Sequence, residues 1–262
     1  MSMEGTRHQG DGRRFAVLIK IKAPAGVSVY YPLATTSAPS YPLPPPTTLA
    51  GALAYSYLRV KQFTEFVDEG FSPVVRVLDK ILYATAGAEG WMPTRDTERI
   101  YQLIYQRKER WNNLELTYTV GVRGNMYYVN DELYLFYVLT DEKLAKHAHG
   151  IIRMGRKENL VSVEEVVIEE LEKVAQPKDV RDFTTYFYFP EEVAVCADCD
   201  ILEMPKLSKG NFKSGVVVPV MGRYCISRVF GAVRGKLKSN GAIVKISGLE
   251  IPLPEQVVKG VV

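Results

Sequence analysis

The sequence predicts an α+β protein in two unequal parts, and three observations carry that prediction. An aliphatic, β-rich run near the start feeds an uncharged helix. Two aromatic, β-branched runs then precede a short capped helix. From Gln176 onward, short β-rich runs alternate with Gly, Pro and Asn turns. The first unit spans residues 1–175 and is interrupted at about 84–114 by a segment that breaks the strand–helix order. The second spans 176–262 and is smaller and β-rich.

Phe15 to Ala23 is apolar, alternates towards its end and reads as the first strand. Tyr41-Pro-Leu-Pro-Pro-Pro follows as a stiff, extended segment. Each proline fixes φ and pushes its predecessor to β or polyproline II space, which leaves the carbonyls free to meet a partner. Thr47 or Thr48 is expected to cap a helix from Thr48 to about Val60, with Leu49, Leu53 and Tyr57 at helical spacing. Gly51 and the alanines beside it imply that something approaches this helix closely. Residues 61–83 read as a helical extension. Glu115 to Val129 and Glu132 to Leu139 read as a hairpin joined at Asn130-Asp131. Asp141 caps a short helix to about His149, and Gly150 can end it. After Gly155, residues 161–168 fit a strand through Val161, Val163, Val166 and Ile168. They fit a helix through Val163, Val167, Leu171 and Val174 equally well, and periodicity does not separate the two.

Composition bounds the function. Hydrophobic residues make up 47% and charged residues 24% of 262, ordinary values for a globular chain. No apolar run is long enough to cross a bilayer, and the polar N-terminus lacks the core of a signal peptide, so a cytoplasmic protein without a membrane partner is expected. Cys196-Ala-Asp-Cys199 has metal-ligand spacing, but with only Cys225 besides it supplies half a zinc site. Reduced thiols and no metal or cofactor are expected. The net charge of +3 hides a partition: residues 158–203 hold 13 acidic and 3 basic side chains, whereas 204–249 hold nine basic residues and no acid. Such a block suits a polyanion or an acidic partner, unless the two blocks neutralise each other.

The order strand, polar-aromatic loop (Tyr30, Ser37, Tyr41), then Pro-Pro-Pro-Thr-Thr-Leu-x-Gly resembles the fifth CRISPR-associated (Cas) family. These are repeat-associated (RAMP) subunits of Cascade surveillance complexes, and the run SAPSYPLPPPTTLAGALA resembles the archaeal type I-A form. The Met154-Gly155-Arg156-Lys157 turn is similar to the glycine-basic turn that precedes the last strand of such a domain. The resemblance makes 161–168 a strand. It implies a β-α-β-β-α-β, ferredoxin-like RAMP domain with an inserted thumb, whose sheet serves as an RNA platform. It also implies a non-catalytic subunit that grips the 5′ handle of the CRISPR RNA (crRNA) in antiviral defence, with the handle on the sheet between the Tyr30–Tyr41 loop (Tyr30, Ser37 and Tyr41 as RNA contacts), the Gly155 turn and the insertion. Its partners would be the backbone, large and small Cascade subunits.

Two residue sets carry the expected RNA chemistry. The insertion combines Arg95, Arg99, Arg107, Lys108 and Arg110 with Trp91, Tyr101, Tyr105 and Trp111. Cations neutralise phosphates and flat rings hold unstacked bases, although Tyr101 and Tyr105 at i, i+4 also suit a core-facing helix. In the second set, Gly155 lets the backbone approach a phosphate beside Arg153, Arg156 and Lys157. An alternative is metal-independent cleavage of repeat RNA, with Tyr41, Lys146 and His147 as acid and base. A third reading is an adaptor held by protein contacts alone. No Ser-His-Asp order, P-loop or dinucleotide fingerprint occurs.

Overall fold

The computed structural model describes residues 12–32, 37–60, 70–101, 118–216, 218–228 and 231–260, and their side chains except at 37–38, 98–101 and 118–120. The protein is a mixed α/β fold dominated by strands. Among the described residues no helix is long and apolar enough to cross a membrane.

The centre is a four-stranded sheet of β1 (Phe15–Lys22), β3 (Ile81–Gly87), β6 (Glu132–Leu139) and β7 (Ser162–Glu170). Their order is β3-β6-β1-β7, with every neighbouring pair antiparallel. Strand β1 explains why its sequence is apolar at nearly every position: both faces are covered. Val17, Ile19 and Ile21 enter the main core, whereas Ala16 and Leu18 enter a second core on the opposite side. That second core holds Val244, Ile246, Ile251 and Leu253 of the hairpin β14 (Gly241–Ile246) and β15 (Leu249–Pro254), with Val257 of α4 (Glu255–Lys259). The C-terminal residues therefore cover the back of the sheet.

Helix α1 (Pro46–Val60) covers the front, burying Leu49, Ala50, Leu53 and Ala54. It begins two residues earlier than expected. Pro46 stands in the first turn, where a missing N–H costs nothing, and the Pro45 carbonyl accepts from Thr48 N at 2.9 Å and Leu49 N at 3.1 Å. The proline segment before it is not a free edge. Tyr128 Oη donates to the Pro42 carbonyl at 3.2 Å and Tyr188 Oη to the Pro44 carbonyl at 3.0 Å. The carbonyls of Pro42 and Pro44, expected to meet a partner, are taken up by tyrosines of the same chain.

Three further expectations are corrected. Residues 73–76 and 78–80 form 3-10 turns, and 81–87 form a strand of the central sheet, so the excursion starts after Gly87 and not at Ala84. The excursion is a β-arm. In it β4 (Trp91–Tyr101) pairs with β5 (Tyr118–Tyr128) from Trp91↔Tyr128 to Tyr101↔Tyr118, where a helix was expected around Tyr101. Strand β2 (Ser37–Ala38) adds to β5 at Val122 and Arg123. Finally, Asn130 (φ 54°) and Asp131 (φ 60°) do turn the chain, but β5 and β6 do not pair. The end of β1 holds that turn: Lys22 Nζ donates to the Asn130 carbonyl at 2.6 Å and Ala23 N to the Asp131 carbonyl at 2.8 Å.

Beyond β7, α3 (Leu171–Val174) leads to two small sheets. One is β8 (Asp182–Thr185), β10 (Ala194–Cys196) and β13 (Val233–Leu237); the other is β9 (Phe189–Pro190), β11 (Cys199–Pro205) and β12 (Met221–Ser227). The β10–β11 turn brings Cys196 and Cys199 together, their Cα atoms 5.8 Å apart. Cys225 keeps a buried thiol, whose pKa burial pushes up to about 11. The two charge blocks meet in part, through Arg223–Glu191 at 3.1 Å and Arg228–Asp200 at 2.8 Å.

Helix α2 (Glu142–Lys146) starts as predicted. The Asp141 carboxylate accepts from Lys143 N at 2.8 Å and Leu144 N at 3.1 Å, and it pairs with Lys80. Burial alone would raise this carboxyl, but Lys80 and the two amides outweigh it and hold its pKa below the ordinary value. The pair's stabilisation is therefore present above the unfolded pKa and lost as pH falls through the folded one. Asp141→Ala is expected to lower stability at pH 7 by about 1–2 kcal/mol. Asp141→Asn keeps a cap acceptor and should lose less, with a flatter acid limb. Urea melts at pH 7 and pH 3 check this: an Asn variant as stable as wild type at pH 7 would refute the charge contribution, and equal losses for both variants would refute that of the cap acceptor.

Candidate nucleic-acid interface

A cleft of about 820 Å³ opens on the front of the molecule, lined from four places in the chain. Helix α1 contributes Thr48, Gly51, Ala52, Tyr55 and Arg59. Residues 28–30 contribute with the turn after Arg153, and Ser72, Pro73 and Val74 complete the rim. Among the described residues four cations line it (Arg59, Arg153, Arg156 and Lys157) and no carboxylate does.

The Gly155 turn is a small hairpin closed by an Arg153↔Leu160 bridge. Met154 N donates to the Asn159 carbonyl at 3.0 Å and Asn159 N to the Arg156 carbonyl at 3.2 Å. Met154 and Ile151 anchor it in the main core, and Asn159 Nδ2 ties it to the Ala25 carbonyl at 3.2 Å. Gly155 is required twice over. Its φ is +82°, and a Cβ there would sit 2.6 Å from the Ser28 carbonyl oxygen. Ser28 in turn donates to the Gly124 carbonyl at 2.7 Å, and Val27 exchanges backbone bonds with Met126. The turn, residues 27–30 and the base of the β-arm are thus one hydrogen-bonded assembly.

The cations are placed by different means. Arg153 lies over the Tyr55 ring, its guanidinium carbon 3.8 Å from the centroid, and Arg59 stands 5.9 Å from the same ring. Arg156 reaches Glu158 at 3.4 Å, and Lys157 is exposed. The basic C-terminal block comes alongside. Ser72 N donates to the Phe212 carbonyl at 2.8 Å, and Lys209 and Lys213 lie 5.2 Å and 5.6 Å from the Phe71 ring centroid.

Of the residues expected to contact RNA, the structure gathers Tyr30, Arg153, Gly155, Arg156 and Lys157 around this cleft. Tyr41 is a correction. It is 1% exposed in the main core, its ring centroid 4.0 Å from that of Tyr31, and burial raises its pKa, so its ring is not open to a base. Ser37 lies in β2, where its backbone pairs with Val122. Trp91 is half-buried, packed against the main core at the root of the arm. Arg95 is exposed on β4 opposite Gly124, and Arg99 stands opposite Val120. Arg107, Lys108, Arg110 and Trp111, with Tyr105, lie outside the described residues.

The alternative catalytic set is not assembled. Lys146 pairs with Glu142 at 2.7 Å, and His147 packs edge-on against Tyr57 at 5.0 Å while its carbonyl accepts from Ser56 Oγ at 2.6 Å. Neither residue lines the cleft. Among the described residues no cluster of His, Cys, Asp and Glu could hold a metal. Sequence reading missed Tyr55 and Arg59, and took Thr48 only as a cap and Gly51 only as a point of close approach. Their spacing of three to four residues marks the helix face opposite Leu49 and Leu53, and that stripe was the available signal.

No protein-family model matches the chain. A Saccharolobus solfataricus protein described as "CRISPR system aCascade subunit Cas5 1" is 35% identical over 181 residues, covering 68% of this chain and 73% of its own. A second from that organism, "CRISPR-associated protein Cas5 2", is 26% identical over 228 residues, covering 81% and 82%. The crystal structure of a CRISPR protein from Archaeoglobus fulgidus superposes with a TM-score of 0.56 at 17% identity, over 91% of this chain and 98% of its own. The last likeness gives the fold of a CRISPR-associated protein. The 35% relative gives the family as well: the chain belongs to the Cas5 family.

Proposed function

We propose that this chain is a non-catalytic crRNA-binding subunit of a type I-A Cascade in antiviral defence, which grips the 5′ repeat-derived handle and caps the backbone filament. The observation that carries the reading is the cleft: among the described residues four cations, exposed tyrosine and no lining carboxylate, in a chain of the Cas5 family. Single-stranded RNA needs that combination, because phosphates are neutralised by Arg and Lys while splayed bases lie on flat side chains. The strand order β3-β6-β1-β7, with α1 following β1 and α2 following β6, supports a ferredoxin-like RAMP domain as the platform. A relative described as an aCascade subunit supports the assembly. The buried Tyr41, the Glu142-bound Lys146 and the Tyr57-packed His147 support a role without catalysis.

The test is binding of handle RNA at several salt concentrations, with EDTA present. Arg156→Ala/Lys157→Ala is expected to weaken binding across handle sequences and to flatten the salt dependence by about one unit of slope for each phosphate left without its cation. Unchanged affinity and slope would remove the Gly155 turn from the interface. Metal-independent cutting that vanishes in His147→Ala would replace the reading with a nuclease. No crosslink between this chain and RNA in the assembled complex would replace it with a protein-only adaptor.

A further inference from the structure

Gly51 stands in the middle of α1 with no structural need for a glycine. Its φ is helical, and a Cβ added there would meet no heavy atom within 4 Å. Gly155 differs, since a side chain there would strike the chain's own backbone. Glycine is the weakest helix former apart from proline, so the helix tolerates a loss from which its own packing gains nothing. What the missing side chain does is leave helix backbone bare in the cleft. Gly51 lines it between Thr48 and Tyr55, one turn before Tyr55 on the same face.

Beside that bare patch is a flat shelf. The Arg153 guanidinium lies over the Tyr55 ring at 3.8 Å, and Arg59 stands 5.9 Å from the same ring. Both Tyr55 and Arg153 remain partly exposed, and Tyr30, 37% exposed, lines the same cleft. A stacked guanidinium and ring suit a planar, polarisable group, and Arg156 and Lys157 on the neighbouring turn suit a negative charge attached to it. The cleft volume of about 820 Å³ holds a group of nucleotide size. A planar ring system carrying a phosphate is a nucleotide.

We propose that Gly51 is a base-admitting position. One unstacked base of bound single-stranded RNA lies against the bare α1 backbone at Gly51, flanked by the Tyr55–Arg153 shelf. This rests on the RNA-binding reading above and adds where a base enters and what admits it. A side chain at position 51 would fill the space the base takes.

The experiment uses the full chain with fluorescently labelled single-stranded handle RNA, and with the same RNA made abasic at one position at a time. Gly51→Ala is expected to raise the melting temperature by roughly 2–4 °C, as a helix gains from losing a glycine. It should nevertheless weaken binding of intact RNA. Gly51→Leu should weaken it further, by roughly tenfold or more, the scale of one lost stacked base. For one abasic RNA the variants and the wild type should bind alike, since the base in question is already gone. A folded Gly51→Leu that binds intact RNA like the wild type would overturn the proposal and leave RNA binding standing. So would a penalty that persists undiminished with every abasic RNA. Gly51→Ala keeps the test sound if leucine disturbs the fold. Wild-type protein that fails to bind any of these RNAs would instead sink the RNA reading, and this proposal with it.

Discussion

Gly155→Val is expected to destabilise the protein by about 2–5 kcal/mol and to abolish binding at the cleft. Two effects add. A β-branched residue at φ +82° sits in left-handed space at a cost of about 1–2 kcal/mol. Its Cβ would also stand 2.6 Å from the Ser28 carbonyl oxygen, which is backbone and moves only with residues 27–30. Relief requires the Arg153–Leu160 hairpin to lift away from residues 27–30, and the bridge between Ser28 and Gly155 goes with it. Arg156 and Lys157 then lose their placement. Gly155→Asn separates the two causes, because asparagine tolerates positive φ but still carries a Cβ. Urea denaturation should rank wild type above Asn and Asn above Val. An Asn variant as stable as wild type would show that φ strain acts alone, and a stable Val variant would remove the close approach altogether.

Much of the central sheet was legible because its residues report on themselves. Strand β1 is apolar at consecutive positions since cores cover both of its faces, and a continuous apolar run is the signature of that burial. Asp141 announces its helix because a cap is a local hydrogen bond between neighbours in sequence. The Gly155 turn was readable for the same reason, through the glycine that positive φ demands. The proline segment was recognised correctly as a family marker, yet its chemistry was misjudged. Whether the carbonyls of Pro42 and Pro44 are free depends on Tyr128 and Tyr188, which are remote in sequence.

What stayed hidden depends on distant partners. Val74, Val77, Leu78 and Ile81 recur at helical spacing, but strand β3 is fixed by pairing with β6, a segment no local window contains. Strand β4 has a mixed, charged sequence with no apolar face, so its period suggests nothing; its extended form comes from eleven residues of register against β5. Half of the cleft escaped for a related reason. Tyr55 and Arg153 are ordinary residues separately, and only the fold sets one on the other. Sequence reported on what a residue requires locally, and the site is made of what residues become when distant segments meet.

Shortening the β-arm is expected to separate its anchoring root from its interacting length. Trp91, Met126 and Tyr128 pack into the main core, and β2 pairs with β5 at Val122 and Arg123. A cut beginning at Gly90 would therefore strip the core. Thr97 and Val122 lie directly opposite each other, so replacing residues 98–121 with Asn-Gly closes the hairpin with a tight turn and keeps the root intact. The melting temperature should change by no more than about 3 °C, because the residues that pack the root into the main core are kept. Function should change far more. The replacement removes Arg99, Arg107, Lys108 and Arg110 with Tyr101, Tyr105 and Trp111. Losing several cations and rings should lower handle affinity by roughly tenfold or more at moderate salt, or abolish assembly with the backbone subunit. Circular dichroism and handle binding on the same preparation read both. An unfolded variant would make the distal arm part of the core. A folded variant that binds RNA and assembles like the wild type would leave the arm's basic and aromatic residues without the role proposed for them, and the cleft at Gly51 and Gly155 would stand alone as the RNA site.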